Sequence, residues 1–236
     1  MPEAHVEAST EGSVLLAGLL LKVGLFGILR FVLPLFPVAN LYFLPLVNTF
    51  ALLSIIYISF VIFIQMDMKK IIAYSSIIHM NFALLGLFSQ TLNGIHGSIY
   101  LMFTHGFISS ALFIIIGSLY LRMNSRILYY YQGLSRLFPF FSTVFLFLML
   151  GNSGMPGTGG FIGEILILFG VFQKNFFTGI LSIIALFFSI IYSLLLFIRV
   201  FFGSQSVYLV KSLNKSNFTL LTETSLEKSL LLLFSF

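Results

Sequence analysis

Four residues able to exchange a proton lie deep inside apolar stretches of this chain: Lys22, His79, His105 and Glu164. Each is expensive where it stands. A charged side chain at mid-bilayer depth costs about 2.5–3.5 kcal/mol on insertion scales, and a buried carboxylate is costly unless paired. Lysine, histidine and glutamate share a property that arginine lacks, because each can be neutralised and recharged reversibly. The chemistry open to such a set is proton or cation transfer. Lys22 stands about ten residues into the run from Gly12 to Pro34, too far from either end to snorkel to an interface. For His79 or His105 taken alone, a ring hydrogen-bonded to a neighbouring helix is an equal reading. A metal is disfavoured, since no His/Cys/Asp/Glu cluster has ligand spacing. Ser75, Ser76, Thr104, Ser109 and Ser110 flank the histidines. They could hold water or serve as small residues at helix contacts.

The elements that must position these groups are membrane helices. Of the 236 residues, 59% are hydrophobic and 8% charged, against about 25% charged in soluble domains; the mean hydropathy is +1.09. The apolar runs are each long enough to span a bilayer. The fold class is therefore all-α and polytopic, with six candidate segments at about 13–35, 41–64, 71–88, 95–121, 138–172 and 177–202. The fifth is too long for one straight helix and is broken by the stretch Gly151 to Gly160, which holds Gly154, Pro156 and Gly157. Proline removes a backbone donor and glycine weakens a helix. Irregular backbone at membrane depth is tolerated only inside protein or beside a wet cavity, and transporters place ion sites at such breaks. Glu164 follows this one closely. The organisation expected is a polar start over 1–12, a helical bundle over 13–203, and a polar tail with a shortened apolar end over 204–236.

Charge orders the topology. Asp67, Lys69 and Lys70, then Arg122, Arg126 and Arg136, then Arg199, Lys211 and Lys215 all fall at alternate ends. The opposite connections, at Val38–Asn40, Ser89–Gly94 and around Lys174, are nearly bare. The basic side then faces cytoplasm or an organelle's matrix, and the net charge of +5 signals no nucleic acid. Lys69 and Lys70 read first as topology anchors, partly neutralised by Asp67. His5, with Glu3, Glu7 and Glu11, is expected at a solvated or interfacial start. With Cys 0, the chain offers no disulfide, thiol nucleophile or iron–sulfur ligand. It carries no phosphate loop and no Ser/His/Asp set. The first residues form neither a secretory signal nor a transit peptide. Phe 30 beside Trp 0 suggests an A/T-rich coding genome, as in an organelle.

Several motifs together carry a resemblance. They are Pro2-Glu-Ala-His5-Val-Glu7-Ala, Leu20-Leu-Lys22, Asp67-Met-Lys69-Lys70-Ile-Ile-Ala-Tyr74-Ser75-Ser76, His79-Met80, His105-Gly106, Met155-Pro-Gly-Thr158, Phe161-Ile-Gly-Glu164 and Tyr192-Ser193. Over about residues 1–203 the chain resembles subunit 4 of NADH:ubiquinone oxidoreductase (complex I), an antiporter-like, proton-pumping membrane subunit. The resemblance implies that Lys22 is the central lysine between two half-channels. It implies that His79 and His105 line the hydrophilic axis, and that Glu164 passes the proton to the exit side. His5, Lys69, Lys70, Tyr74 and Ser75 are secondary members of the path. It also implies a mitochondrial inner-membrane location and redox-driven pumping, with NADH, FMN, iron–sulfur clusters and ubiquinone bound elsewhere in the complex. No cofactor or metal is implied in this chain. The expected partners are subunits 2 and 5, membrane lipids, and a separate chain supplying the N-terminal half. The resemblance covers only the second inverted repeat and the preceding helix, so either the subunit is split or the sequence is partial. Alternatives are a component of a multisubunit sodium/proton antiporter and a structural arm fragment without pumping.

Overall fold

The computed structural model describes residues 2–204; the expected tail and shortened final helix at 205–236 lie outside the described residues. A short helix α1 (Pro2–Glu7) leads into the long α2 (Thr10–Leu35), followed by α3 (Pro37–Ile64), α4 (Met68–Phe88) and α5 (Leu92–Met123). Two short 3-10 turns at 128–136 precede α6 (Pro139–Asn152), α7 (Gly159–Lys174) and α8 (Phe176–Phe201). Among the described residues, helices α2, α3, α4, α8 and most of α5 are long and apolar enough to cross a membrane. Neither α6, with 14 residues, nor α7, with 16 residues, spans alone. At about 1.5 Å per residue they reach about 21 and 24 Å, short of the roughly 30 Å hydrocarbon core. They are the two halves of the discontinuous segment expected over 138–172, and the irregular backbone between them is confined to 153–158. The 3-10 turns bend sharply into α6, at 114°, and lie along the basic face.

One boundary differs from the sequence reading. No Val38–Asn40 connection exists: α3 begins at Pro37, with only Phe36 between it and the end of α2. Proline suits the first helical turn because its missing N–H would lack a partner there anyway. The corner is closed by Asn40, whose side-chain amide donates to the carbonyls of Val32 (3.0 Å) and Leu33 (3.3 Å).

Helix α4 forms the middle of the bundle and is buried nearly all round. The tightest helix contact is between α5 and α7, and glycine makes it possible. A Cβ on Gly97 would stand 2.7 Å from the Ile167 backbone nitrogen, and one on Gly163 would stand 3.0 Å from the Leu101 nitrogen. Close approach through small residues is how membrane helices gain packing energy when lipid is as apolar as the helix surface. On the basic face the loops are tied together. Asp67 and Ile127 form an antiparallel bridge, with Met68 N–H donating to the Arg126 carbonyl at 3.2 Å and Leu128 N–H to the Met66 carbonyl at 2.9 Å. The start of α2 lies on this same face, since Lys69 donates to the Ala8 carbonyl at 2.7 Å and Arg126 to that of Val6.

Candidate functional site

Lys22 occupies the middle of α2, about 18 Å from Thr10 along the helix axis. The turn before it, Leu16–Leu20, is π-helical, a deviation that often marks functional positions. Its ammonium donates to the carbonyl of Ala17 on its own helix and lies 3.0 Å from His105 Nδ1 on α5. Gly18 and Gly106 bring the two helices together: a Cβ on Gly106 would lie 3.4 Å from the Gly18 carbonyl oxygen. The His105 ring lies 5.1 Å from that of His79 on α4, tilted by 40°. His79 Nδ1 in turn lies 3.5 Å from Glu164 Oε1 on α7. The spatial order is thus Lys22, His105, His79, Glu164, drawn from four helices. Three of the four are almost sealed from the surface: His79 is 2% exposed, His105 3% and Glu164 5%.

The hydrogen-bond inventory of this row is incomplete in an informative way. The Nε2 atoms of His79 and His105 have no partner among the described residues. A cavity of about 10 Å³ touches His79, His105, Thr104, Asn152 and Glu164. That is close to the smallest space able to hold one water. If the Lys22 ammonium donates to His105 Nδ1, the imidazole is neutral and its own proton sits on Nε2. Each histidine can then accept at one nitrogen and release from the other.

The helix break holds Glu164 in place. Gly154 adopts φ +65°, a left-handed conformation that glycine enters freely, and a Cβ at this position would overlap the Glu164 carboxyl group. Asn152 closes the first half-helix beside the same cavity. Sequence reasoning did not single out Asn152 or the contact between Gly154 and Glu164. A buried polar residue next to a glycine-rich break was the available signal. Gly157, at φ +94°, also needs glycine, but a Cβ there would meet nothing nearby.

The secondary residues divide. His5 was expected to be solvated and is instead buried, stacked on Phe113 at 5.1 Å with rings 8° from parallel. Lys69 was read as an interfacial anchor and is also buried. The cause is the same for both: Lys69 and Arg126 bond the last carbonyls of α1, where cations favour the helix dipole, and draw α1 onto the bundle. Burial, then the nearby Lys69, holds the His5 imidazole below its ordinary protonation range. Lys70 remains partly exposed and pairs with Asp67 at 3.8 Å. The Ser75 and Ser76 hydroxyls both return to the Ile72 carbonyl, and Tyr74 is half-buried. None of these three lines the cavity beside Glu164.

Lys22 also opens outward. Its other side lines an apolar groove of about 460 Å³ between α2 and α5, with Gly18, Phe26, Phe103 and Ser110 among its walls.

The chain is similar to known proteins in sequence and in fold. The chain is 53% identical over 204 residues to NADH-ubiquinone oxidoreductase chain 4 of Marchantia polymorpha, covering 86% of this chain and 41% of that one. The match to the Chondrus crispus chain 4 is 50% over 204 residues, covering 86% and 42%. The chain thus spans about two fifths of the length of these curated relatives. Among solved structures, a chain of respiratory complex I from Thermus thermophilus with bound NADH superposes with a TM-score of 0.76 at 31% identity, over 82% of this chain and 44% of that chain. Residues 1–191 match the family model described as NADH:quinone oxidoreductase/Mrp antiporter, TM. With that match covering most of its length, the chain belongs to the NADH:quinone oxidoreductase/Mrp antiporter membrane family.

Proposed function

We propose that this chain is a proton-translocating module of the complex I membrane arm, corresponding to part of subunit 4, in the mitochondrial inner membrane. The observation that carries this reading is the side-by-side placement of Lys22, His105, His79 and Glu164 across four helices. Lys22 holds the incoming proton. His105 takes it at Nδ1 and releases one from Nε2. His79 accepts at Nε2 and releases from Nδ1, the atom that faces Glu164, and Glu164, beside the helix break, receives the proton and releases it toward the bare side of the membrane. His105, His79 and Glu164 are buried, so transfer between them is favoured over loss to solvent. Electron transfer from NADH to ubiquinone, through FMN and iron–sulfur clusters bound by other subunits, supplies the drive as a shift in electrostatic potential along the arm.

The groove beside Lys22 fits a module that continues beyond the described helices. We propose that further helices of the subunit cover it, in this polypeptide or in a second one, with subunits 2 and 5 as neighbours in the arm. The test is Glu164→Gln in the assembled complex. Pumping falls at least about tenfold while NADH oxidation by uncoupled complex persists. Pumping at the wild-type rate would overturn the reading. Activity that requires sodium and ignores NADH would assign the chain to an antiporter instead.

A further inference from the structure

Arg30 is the one arginine among the described residues that stands away from the basic face. Arg122, Arg126, Arg136 and Arg199 all lie at basic ends, where the charge bias of membrane proteins puts them. Arg30 instead lies beyond Lys22 on α2, about 8 Å inside the bare-side end at Leu35. Its guanidinium stays charged, and it makes no hydrogen bond or ion pair with the described residues. Their acidic groups are elsewhere. Glu3, Glu7, Glu11 and Asp67 stand at the basic face, and Glu164 is sealed beside His79. An arginine inside a span ordinarily faces other helices and pairs there.

The surface around Arg30 is shaped for a neighbour. Helix α2 is the least buried of the membrane spans, and Val23, Phe26, Arg30 and Phe31 are all exposed. It packs on α5 chiefly through its first half, and from Leu21 onward its contacts pass to α4. The groove of about 460 Å³ beside Lys22 reaches Phe26, and Arg30 stands about one turn past that residue. Gly24 and Gly27 lie in the same half, and a Cβ on either would meet nothing within 4 Å. Glycine weakens a helix interior, and no contact within the described residues calls for these two. They leave room for another backbone to come close. The stretch that carries Arg30, Ile28–Val32, is π-helical, a deviation that often marks functional positions.

We propose that the helix covering this groove carries an aspartate or glutamate that pairs with Arg30 near the bare end of α2. The inference rests on the reading given above that further helices of the subunit lie over the groove. The curated relatives have the length for such a helix, since the chain spans about two fifths of them. The guanidinium is a planar fork that matches a carboxylate with two parallel hydrogen bonds. The pair fixes the height of the covering helix against α2, while Gly24 and Gly27 let its backbone approach. The groove beside Lys22 is then closed by protein rather than by lipid. A lipid phosphate would answer the charge of Arg30 and leave the two glycines without a use.

The test uses the assembled complex. Arg30→Lys keeps the positive charge and supplies an amine that a membrane-permeant carbodiimide joins only to a carboxylate in direct contact. Peptide mass spectrometry should find the resulting amide to an Asp or Glu in a membrane helix outside residues 2–204. Arg30→Gln, which offers no amine, should give none. In parallel, a phospholipid carrying a photoreactive diazirine reports whether Val23 and Phe26 meet lipid. If neither is labelled and the Arg30→Lys complex forms no amide, the pairing is overturned and the covering helices stand. An amide only to a carboxylate outside the membrane helices overturns the pairing as well. Strong labelling of both residues shows lipid in the groove, and the covering reading falls together with the pairing.

Discussion

At the residue scale, geometry rather than residue type sets the proposed relay. Glu164 must stay within reach of His79, and the space for its carboxyl group exists because residue 154 has no side chain. Gly154→Ala introduces a methyl group into that space and a left-handed strain of about 1–2 kcal/mol. We expect the complex to assemble with normal subunit content while pumping drops. A displacement of about 1 Å at a reacting group can cost up to a hundredfold. Proton flux per NADH oxidised, measured beside a native gel, separates the two effects. Lys22, His79, His105 and Glu164 were legible in the sequence because ionisable residues in apolar runs stand out. Their order was not, since neighbours in the row are far apart in the chain: Lys22 meets His105, and His79 meets Glu164. His5 and Lys69 were misjudged for a related reason. Their burial follows from two cations, one of them Arg126, meeting the carbonyl end of α1, and no local pattern announces that.

At the scale of elements, the seam between α5 and α7 carries the His105 and Glu164 helices at a fixed separation. Gly97→Val pushes a branched side chain into the Ile167 backbone, and overpacking of this kind costs about 1–3 kcal/mol or more. The expected outcome is loss of assembled complex on a native gel, whereas Leu121→Ala, on an exposed position of α5 away from the groove, leaves assembly intact. The helix α1 gives a pH-dependent prediction. His5 is held below its usual value of 6.5 by burial first and Lys69 second. Released from the bundle, it takes up a proton near that value; docked, it does not. The docking of α1 is therefore complete above about pH 6.5 and weakens as pH falls through it. Protection of the amides over residues 2–8, measured against the intrinsic exchange rate at each pH, should fall on acidification, and His5→Phe, which cannot titrate, should flatten the change. The helices and the broken segment were readable from length, hydropathy and the Gly/Pro cluster. The α2–α3 corner was not, because Asn40 makes it compact through long side-chain bonds that periodicity does not encode.

At the scale of the molecule, charge distribution and connectivity agree. The basic loops, the start of α2 and the end of α8 share one face: Lys69 and Arg126 hold the α1–α2 junction, and the Ser135 hydroxyl donates to the Phe201 carbonyl at 2.7 Å. With Cys 0 in the sequence, single introduced thiols report sidedness without background. Ser125→Cys and Asn175→Cys should react with an impermeant maleimide from opposite faces. Labelling of both from one face would contradict the topology. Composition sufficed to place the chain in a membrane and to order its ends. It could not disclose the groove beside Lys22, which arises from the way α2 meets α5.

The central claim is that a proton passes through Lys22. The most direct measurement is NADH-driven proton uptake by proteoliposomes holding complex with Lys22→Ala, at equal content of assembled complex. The account predicts pumping at least about tenfold below wild type, with electron transfer retained when the membrane is uncoupled. Wild-type pumping by the Lys22→Ala complex would contradict it.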